Sequence, residues 1–306
     1  MMRVTCTCRL VLAMALISSA AISLQDPAEV LASSYLPPSL QSRITAIGAS
    51  FNVKATFGRL SHPTIRLAQS DSDLSLIGNP AVAPLKWSGL LINTDAVEKD
   101  GLQGSVTCTG QFITEKVVLT AAHCIQDDET GAFYDLNKMY FLLQYQYNYF
   151  SQAYRPICAS RFDDWLSANT QRYQWDYAMV LMDSASLTGN YNIEIDWQGK
   201  YSGATATGYP DSILEGEVIE KAHGELLPFS DFPNEYALKH GQIKFTNGSS
   251  GGAWVANFSD QVDGEHNIVV SLTSFGIDKL PGLSFGPYLT SDFKRLADYV
   301  SNGCPR

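Results

Sequence analysis

Short apolar runs separated by turn residues fill the chain from about residue 81 onward, and this spacing constrains the fold more than any other feature. The runs are Lys86–Ile92, Val106–Ile113, Lys116–Ala122, Met139–Tyr147, Tyr177–Met182, Gly203–Tyr209, Gln242–Thr246, Gly252–Asn257 and Asn267–Gly276. Glycine, proline, asparagine and aspartate lie between them. β-prone runs at loop spacing predict an all-β sandwich or barrel.

One helix is predicted at the end of this region, over Ser291–Val300. Ser291 is expected to be its N-cap, and Phe293, Leu296, Ala297 and Val300 follow at helical spacing.

Residues 1–22 have the pattern of a signal peptide. Arg3 and Arg9 precede an apolar run from Leu10 to Ile22, and small residues near Ala20 offer a cleavage site. The alternative is a membrane anchor, but the run is shorter than the roughly 20 residues that span a bilayer. We therefore expect a secreted or periplasmic protein with no membrane attachment after cleavage.

Residues 23–80 differ from the rest and are interpreted as a propeptide or flexible leader. A short predicted helix stops at Pro37–Pro38, and a weakly patterned Ser-, Gln- and Asp-rich stretch follows. The alternative is an N-terminal arm that packs on the main domain, which we place at residues 81–306.

Charge and cysteine content exclude some functions. The net charge of −10 with no basic patch argues against nucleic-acid binding. Cys108, Cys124, Cys158 and Cys304 remain after signal removal, and an even count in an exported chain suggests disulfides, with three possible pairings. A zinc site would need a C-x-x-C or H-x3-H spacing that they lack, so no metal or cofactor is predicted.

Two polar residues beside apolar strands are candidates for acid–base chemistry. His123 follows an apolar run and directly precedes Cys124, so a disulfide there would hold the imidazole still, as a general base requires. Asp176 opens another apolar run between two aromatic residues, and a partly buried carboxylate normally needs a partner such as an imidazole N–H. The other histidines are interpreted as structural or exposed.

The third candidate is the stretch Gly248–Gly252, which reads Gly-Ser-Ser-Gly-Gly. By itself it fits a flexible turn. It also fits the G-x-S-x-G elbow of α/β-hydrolases, but that fold needs a helix after the serine and a distal histidine, and only His266 follows.

Together, the segments 108–124, 175–180 and 248–252 resemble the trypsin/chymotrypsin-like serine endopeptidases, especially their bacterial trypsin-like and glutamyl-endopeptidase-type branch. The likeness covers roughly residues 81 to 301, and its most specific part is Thr-Ala-Ala-His-Cys with a cysteine 16 residues upstream. It implies two six-stranded antiparallel β-barrels, a C-terminal helix, and a polypeptide substrate.

The resemblance also implies roles for individual residues. His123 would be the general base, Asp176 its orienting carboxylate and Ser250 the nucleophile, with the N–H groups of Gly248 and Ser250 as the oxyanion hole. The remaining implied sites are a substrate-binding strand at Ser274, Phe275 and Gly276, a specificity position at Lys244, and a Cys108–Cys124 disulfide that leaves Cys158 and Cys304 to each other.

The sequence departs from the family at one position. Ser249 stands where the family carries an aspartate that receives the new N-terminal amine on activation. We expect an active endopeptidase, since the chemistry of peptide hydrolysis does not require that aspartate. We also expect the protein to be a monomer. The alternative is an impaired pseudoprotease that acts as a binding module.

Overall fold

The computed structural model describes residues 76–93, 106–127, 130–167, 170–212, 214–229, 234–241, 247–277, 280 and 282–305. The predicted signal peptide, nearly all of the predicted leader, and Lys244 lie outside these residues.

The first sheet has seven strands, all antiparallel. In chain order they are β1 (Ser88–Asn93), β2 (Val106–Phe112), β3 (Val117–Thr120), β4 (Met139–Leu143), β5 (Gln152–Tyr154), β6 (Pro156–Arg161) and β7 (Ala178–Met182). Their spatial order is β5-β4-β1-β2-β3-β7-β6. β3 pairs with both β2 and β7, so the segments that follow β3 and precede β7 lie at the same end of the sheet.

The second sheet has eight strands. They are β8 (Asn192–Ile193), β9 (Gly203–Gly208), β10 (Glu220–Pro228), β11 (Glu235–Lys239), β12 (Ala253–Ala256), β13 (Ile268–Leu272), β14 (Phe275–Gly276) and β15 (Leu283–Pro287). Their order is β14-β15-β11-β10-β9-β12-β13-β8, and β8 pairs with β13 in parallel. β14 therefore forms one edge of this sheet.

The predicted fold class is confirmed: the described chain is mostly β, with two sheets and a C-terminal helix. The sheets hold seven and eight strands, because short segments extend them beyond the six that the resemblance implied: β5 in the first sheet, and β8 and β14 in the second. β10 and β11 were not among the predicted runs, since Lys221, His223 and Glu225 interrupt the apolar pattern of β10. The predicted strand Gln242–Thr246 lies outside the described residues.

The helix α1 (Ser291–Ser301) matches its prediction apart from its cap. Thr290 rather than Ser291 is the N-cap, and its side chain accepts a hydrogen bond from the N–H of Asp292. Phe293, Leu296 and Val300 are buried in the larger hydrophobic core, as the helical spacing predicts. Among the described residues, no helix is long and apolar enough to span a membrane.

The expected disulfides are present, paired as Cys108–Cys124 and Cys158–Cys304. The first closes a loop of 16 residues between β2 and the turn after β3. The second joins β6 of the first sheet to the end of α1 across 146 residues of sequence.

Candidate active site

His123 lies in a single 3₁₀ turn, Ala122–Cys124, that follows β3 directly. The turn is fixed on both sides of the histidine: Ala122 is buried against the core, and Cys124 is bonded to Cys108 of β2. The imidazole itself is about one quarter exposed, at 28%. A side chain that is accessible on a rigid turn meets the geometric demand on a general base.

Asp176 lies two residues before β7, at the same end of the sheet as His123, and only 1% of its surface is exposed. Its Oδ2 is 2.9 Å from Nδ1 of His123, and its Oδ1 accepts the backbone N–H of His123 at 3.1 Å. The Ser274 hydroxyl donates a further hydrogen bond to Oδ2. These donors satisfy a buried carboxylate and hold it toward the imidazole.

Ser250 lies in the loop before β12, and its carbonyl oxygen makes two contacts with the first sheet and the turn that follows β3. The Ser250 carbonyl oxygen accepts the N–H of Thr109 at 2.8 Å. The same oxygen is 3.8 Å from Sγ of Cys124, the residue next to His123. The structure thus brings the predicted nucleophile, base and orienting carboxylate to one place where the two sheets meet.

Strand β2 clamps the serine loop with two buried polar side chains that sequence reasoning missed. The Thr109 hydroxyl donates to the Gly248 carbonyl at 2.8 Å, and the Gln111 amide donates to the Gly251 carbonyl at 2.9 Å. Gln111 also accepts the N–H of Ala253, the first residue of β12, at 3.0 Å. A detectable signal was present, because Thr107, Thr109 and Gln111 alternate with period two in β2.

Gly248 has a backbone conformation that requires glycine. Its φ is +89°, and a Cβ added there would lie 2.2 Å from the Tyr209 carbonyl oxygen. Among the described residues, no acceptor takes the N–H of Gly248 or of Ser250. Two N–H groups left unengaged on a glycine-dependent turn are the elements of an oxyanion hole.

The predicted substrate strand lies at a sheet edge. Phe275 and Gly276 form β14, which pairs on one side with β15 and is the edge of the second sheet. Ser274, just before β14, is buried and contacts Asp176, whereas Gly276 is exposed. An exposed strand edge can accept an extended peptide by strand addition.

Ser249 is 1% exposed and packs closely against Gly208, the last residue of β9. A Cβ added at Gly208 would lie 3.3 Å from the Cβ of Ser249, so the glycine at 208 leaves room for this serine.

Cys108, His123 and Cys124 bring three possible metal-ligand atoms within 4.8 Å of one another at this site. The two sulfur atoms are bonded to each other, so neither is a thiolate that could bind a metal.

Two buried titratable groups in the second sheet have strongly perturbed properties. Burial lowers the pKa of His240 from 6.5 to about 4, and its Nε2 lies 2.9 Å from the Ser284 hydroxyl. Burial, with the nearby charge of Asp176, raises the pKa of Glu235 from 4.5 to about 8. His240 fits the structural role predicted for it, whereas Glu235 was not singled out from the sequence.

An imidazole bonded to a buried aspartate, beside a serine loop with unengaged N–H groups, is the arrangement of serine hydrolases that work by acyl transfer. Its placement where two largely antiparallel sheets meet is typical of serine proteases built from two β-sheets.

Comparison with known families identifies the family itself. The family model for trypsin matches residues 86–282, more than half of the chain, so the protein belongs to the trypsin family and is a serine endopeptidase by class. No curated protein sequence matches the chain.

Solved structures share the fold at low sequence identity. A thermostable serine protease from an extremophilic microorganism is 21% identical with a TM-score of 0.56, covering 71% of this chain and 97% of its own. A Glu endopeptidase is 17% identical with a TM-score of 0.57, covering 74% and 95%. An inactivated protease paralogue from the scabies mite is 13% identical with a TM-score of 0.55, covering 71% and 96%.

Proposed function

We propose that the protein is an exported serine endopeptidase in which Ser250 is the nucleophile, His123 the general base and Asp176 the orienting carboxylate. The observation that carries this proposal is the hydrogen bond between His123 Nδ1 and Asp176 Oδ2, beside the loop that holds Ser250. Asp176 is buried and accepts from Nδ1 as the protonated nitrogen, which makes Nε2 the nitrogen that takes the proton in the reaction.

Acylation begins when His123 takes the Ser250 hydroxyl proton as the oxygen attacks the carbonyl carbon of a peptide bond. The negative charge that develops on the substrate oxygen is stabilised by the N–H groups of Gly248 and Ser250. The imidazolium then gives its proton to the departing amine, which breaks the peptide bond and leaves an acyl-enzyme.

Deacylation repeats these steps with water. His123 takes a proton from the water, the hydroxide attacks the ester carbon, and the proton returns to Ser250 as the acid product leaves. β14 would hold the substrate backbone as an added strand, so that the scissile bond is presented to Ser250.

Labelling with a fluorophosphonate probe tests the proposed nucleophile. Stoichiometric labelling of the wild type that is lost in Ser250→Ala supports it. Labelling that persists in Ser250→Ala and vanishes in Ser249→Ala would assign the reaction to the adjacent serine. No labelling of folded mature protein would contradict the proposal.

The alternative is a pseudoprotease that binds polypeptides without cleaving them. Ser249 motivates it, because the family's acidic residue is replaced there, and the fold is shared with an inactivated paralogue. A folded protein that binds a peptide substrate but neither cleaves it nor reacts with the probe would establish this second function.

We further propose that residues 1–22 are removed as a signal peptide and that a propeptide is removed before the monomeric enzyme acts. The N–H of Gly78 donates to the Ile219 carbonyl, and the N–H of Lys221 donates to the Leu76 carbonyl, both at 2.8 Å. Since these bonds attach Leu76 to β10, cleavage at or just before Leu76 is favoured over cleavage nearer Val82. N-terminal sequencing of the exported protein tests this, and an intact leader with full activity would refute it.

A further inference from the structure

Glu235, the first residue of β11, is a buried carboxyl group without a hydrogen-bond partner. Only 3% of its surface is exposed, and neither carboxyl oxygen has a partner among the described residues. Burying a polar group without a partner costs roughly 1–3 kcal/mol, and more if the group is charged. Burial without a partner therefore favours the neutral form of the Glu235 carboxyl group over the charged form.

The register of β11, β15 and β14 places Glu235 on the same face of the second sheet as Phe275. Glu235 lies opposite Pro287, and two residues along, Ala237 lies opposite Phe285. Phe285 in turn pairs with Phe275 of β14, and their rings are stacked with centroids 5.0 Å apart. Glu235 is therefore buried two strands in from the edge strand that would receive substrate.

Asp176 is close to this carboxyl group. Asn234, next to Glu235, donates its side-chain amide to the Gln174 side-chain oxygen at 2.7 Å, and Gln174 lies two residues before Asp176. The charge of Asp176 acts on Glu235 and, after burial, is the second cause that raises the pKa of Glu235. A pKa of about 8 leaves Glu235 mostly protonated at neutral pH, so Asp176 does not meet a second full negative charge there.

The other charged and titratable groups around β11 are spread over several elements. Among the described residues, Arg172, Tyr173 and Asp176 lie before β7, where the Tyr173 ring is 4.4 Å from the Phe275 ring of β14. Tyr288, after β15, has its ring 5.6 Å from that of Tyr236 in β11. Glu225 and Lys239 lie opposite each other at the far end of β11. Asp176 is the member of this set that is hydrogen-bonded to the imidazole.

We propose that Glu235 is a positioning residue for the proposed triad. When Glu235 is protonated, Asp176 is the single negative charge next to His123. When Glu235 is ionised, it adds a second negative charge. This inference rests on the proposed function. The second charge stabilises the imidazolium that forms in both acyl-transfer steps, so hydrolysis speeds up as Glu235 loses its proton. An order-of-magnitude Coulomb estimate gives roughly a three- to tenfold effect on rate.

The test compares pH profiles of kcat/KM for the wild type, Glu235→Gln and the matched control Glu225→Gln, on one peptide substrate. Glutamine keeps the shape of the side chain but cannot ionise. The ratio of wild type to Glu235→Gln is expected to rise by about three- to tenfold between about pH 6.5 and 9.5. The corresponding ratio for Glu225→Gln should stay constant, because that residue is exposed and distant from Asp176.

Two results would overturn the inference. Profiles of wild type and Glu235→Gln that run parallel over the whole range would show that the charge of Glu235 does not reach the triad. An alkaline fall in wild-type activity that Glu235→Gln abolishes would show that the second charge displaces Asp176 instead of assisting His123.

An infrared measurement separates this inference from the proposed function. The carbonyl band of a buried neutral carboxylic acid is expected in the wild type at pH 7, should fade toward alkaline pH, and should be missing in Glu235→Gln. If the folded wild type shows no hydrolysis and no probe labelling, the proposed function fails, and this inference with it, even where the band is present. If hydrolysis is normal but the band is missing, only the inference about Glu235 fails.

Discussion

The two sheets contribute to the site in different ways. The first sheet supplies His123 on a turn held by the Cys108–Cys124 disulfide. It also supplies Asp176, whose two carboxylate oxygens both accept hydrogen bonds. The second supplies Ser250 on a loop that depends on bonds to the first sheet, and it also contains Glu235 and His240, whose pKa values burial shifts in opposite directions. The first sheet therefore holds the proposed acid–base pair in a fixed geometry, whereas the second contributes the buried groups that make the protein sensitive to pH.

The largest effect on activity is expected from Asp176→Asn, a substitution in the part of the site that the first sheet supplies. The amide would leave the imidazole in the wrong tautomer, and kcat should fall by roughly 10⁴ while the fold persists. Peptide hydrolysis measured beside circular dichroism checks this. A loss of less than tenfold would mean that Asp176 does not orient His123.

The disulfides test the rigidity of the first sheet directly. In the chain-entropy treatment, removing Cys158–Cys304 lowers the free energy of unfolding by about 5 kcal/mol, and removing Cys108–Cys124 by about 3 kcal/mol. The difference follows from loops of 146 and 16 residues. Denaturant unfolding of the two Cys→Ser double variants gives both values. Activity should rank in the opposite order, because only the shorter loop holds the turn of His123.

The second sheet should govern how stability depends on pH. Because burial lowers the pKa of His240 from 6.5 to about 4, the unfolded chain binds a proton in this interval that the folded protein does not. The His240 contribution is thus present above pH 6.5 and is lost as pH falls toward 4, by roughly 3 kcal/mol at most.

Glu235 acts in the opposite direction. Since its pKa is raised from 4.5 to about 8, the folded protein holds a proton that the unfolded chain releases, and stability falls as pH rises through that window. The two windows overlap, so the effects offset each other in the wild type between pH 4.5 and 6.5. Unfolding measured at several pH values should therefore show stability that falls with rising pH in His240→Gln and rises with pH in Glu235→Gln. The same pH dependence in both variants would remove the contrast between the sheets.

The smallest effect is expected from Ser274→Ala, at the junction of the sheets. Losing the hydroxyl that donates to Asp176 should lower kcat/KM by roughly tenfold, the size expected for a hydrogen bond to a charged group. Ser271→Ala is the matched control, because that buried serine donates to the Pro287 carbonyl instead. Equal losses in both variants would show a packing effect rather than a role at Asp176.

Sequence patterns located the site well wherever the signal was local. The His123 turn, the Asp176 strand start and the glycines around Ser250 each lie within a few residues, and local backbone rules govern such stretches. The amphipathic pattern of α1 likewise gave its bounds to within one residue.

What the sequence could not give are contacts set by register across strands. Thr109 and Gln111 reach the serine loop across more than 130 residues of sequence, and Asn234, next to Glu235, bonds to Gln174 across 60 residues. No residue pattern near Glu235 distinguishes it from an ordinary charged strand end. Such placements depend on which strands become neighbours, and the residue pattern along a single sequence does not show this.

The Cys158–Cys304 disulfide sets an order of events during biosynthesis. Cys158 belongs to the first sheet, but its partner is made 146 residues later, a delay of roughly 7–30 s at ordinary elongation rates. During that interval an unpaired thiol is present in the nascent first sheet. Early closure of Cys108–Cys124 removes two of the thiols with which it could be mispaired, so the shorter bridge also protects the longer one.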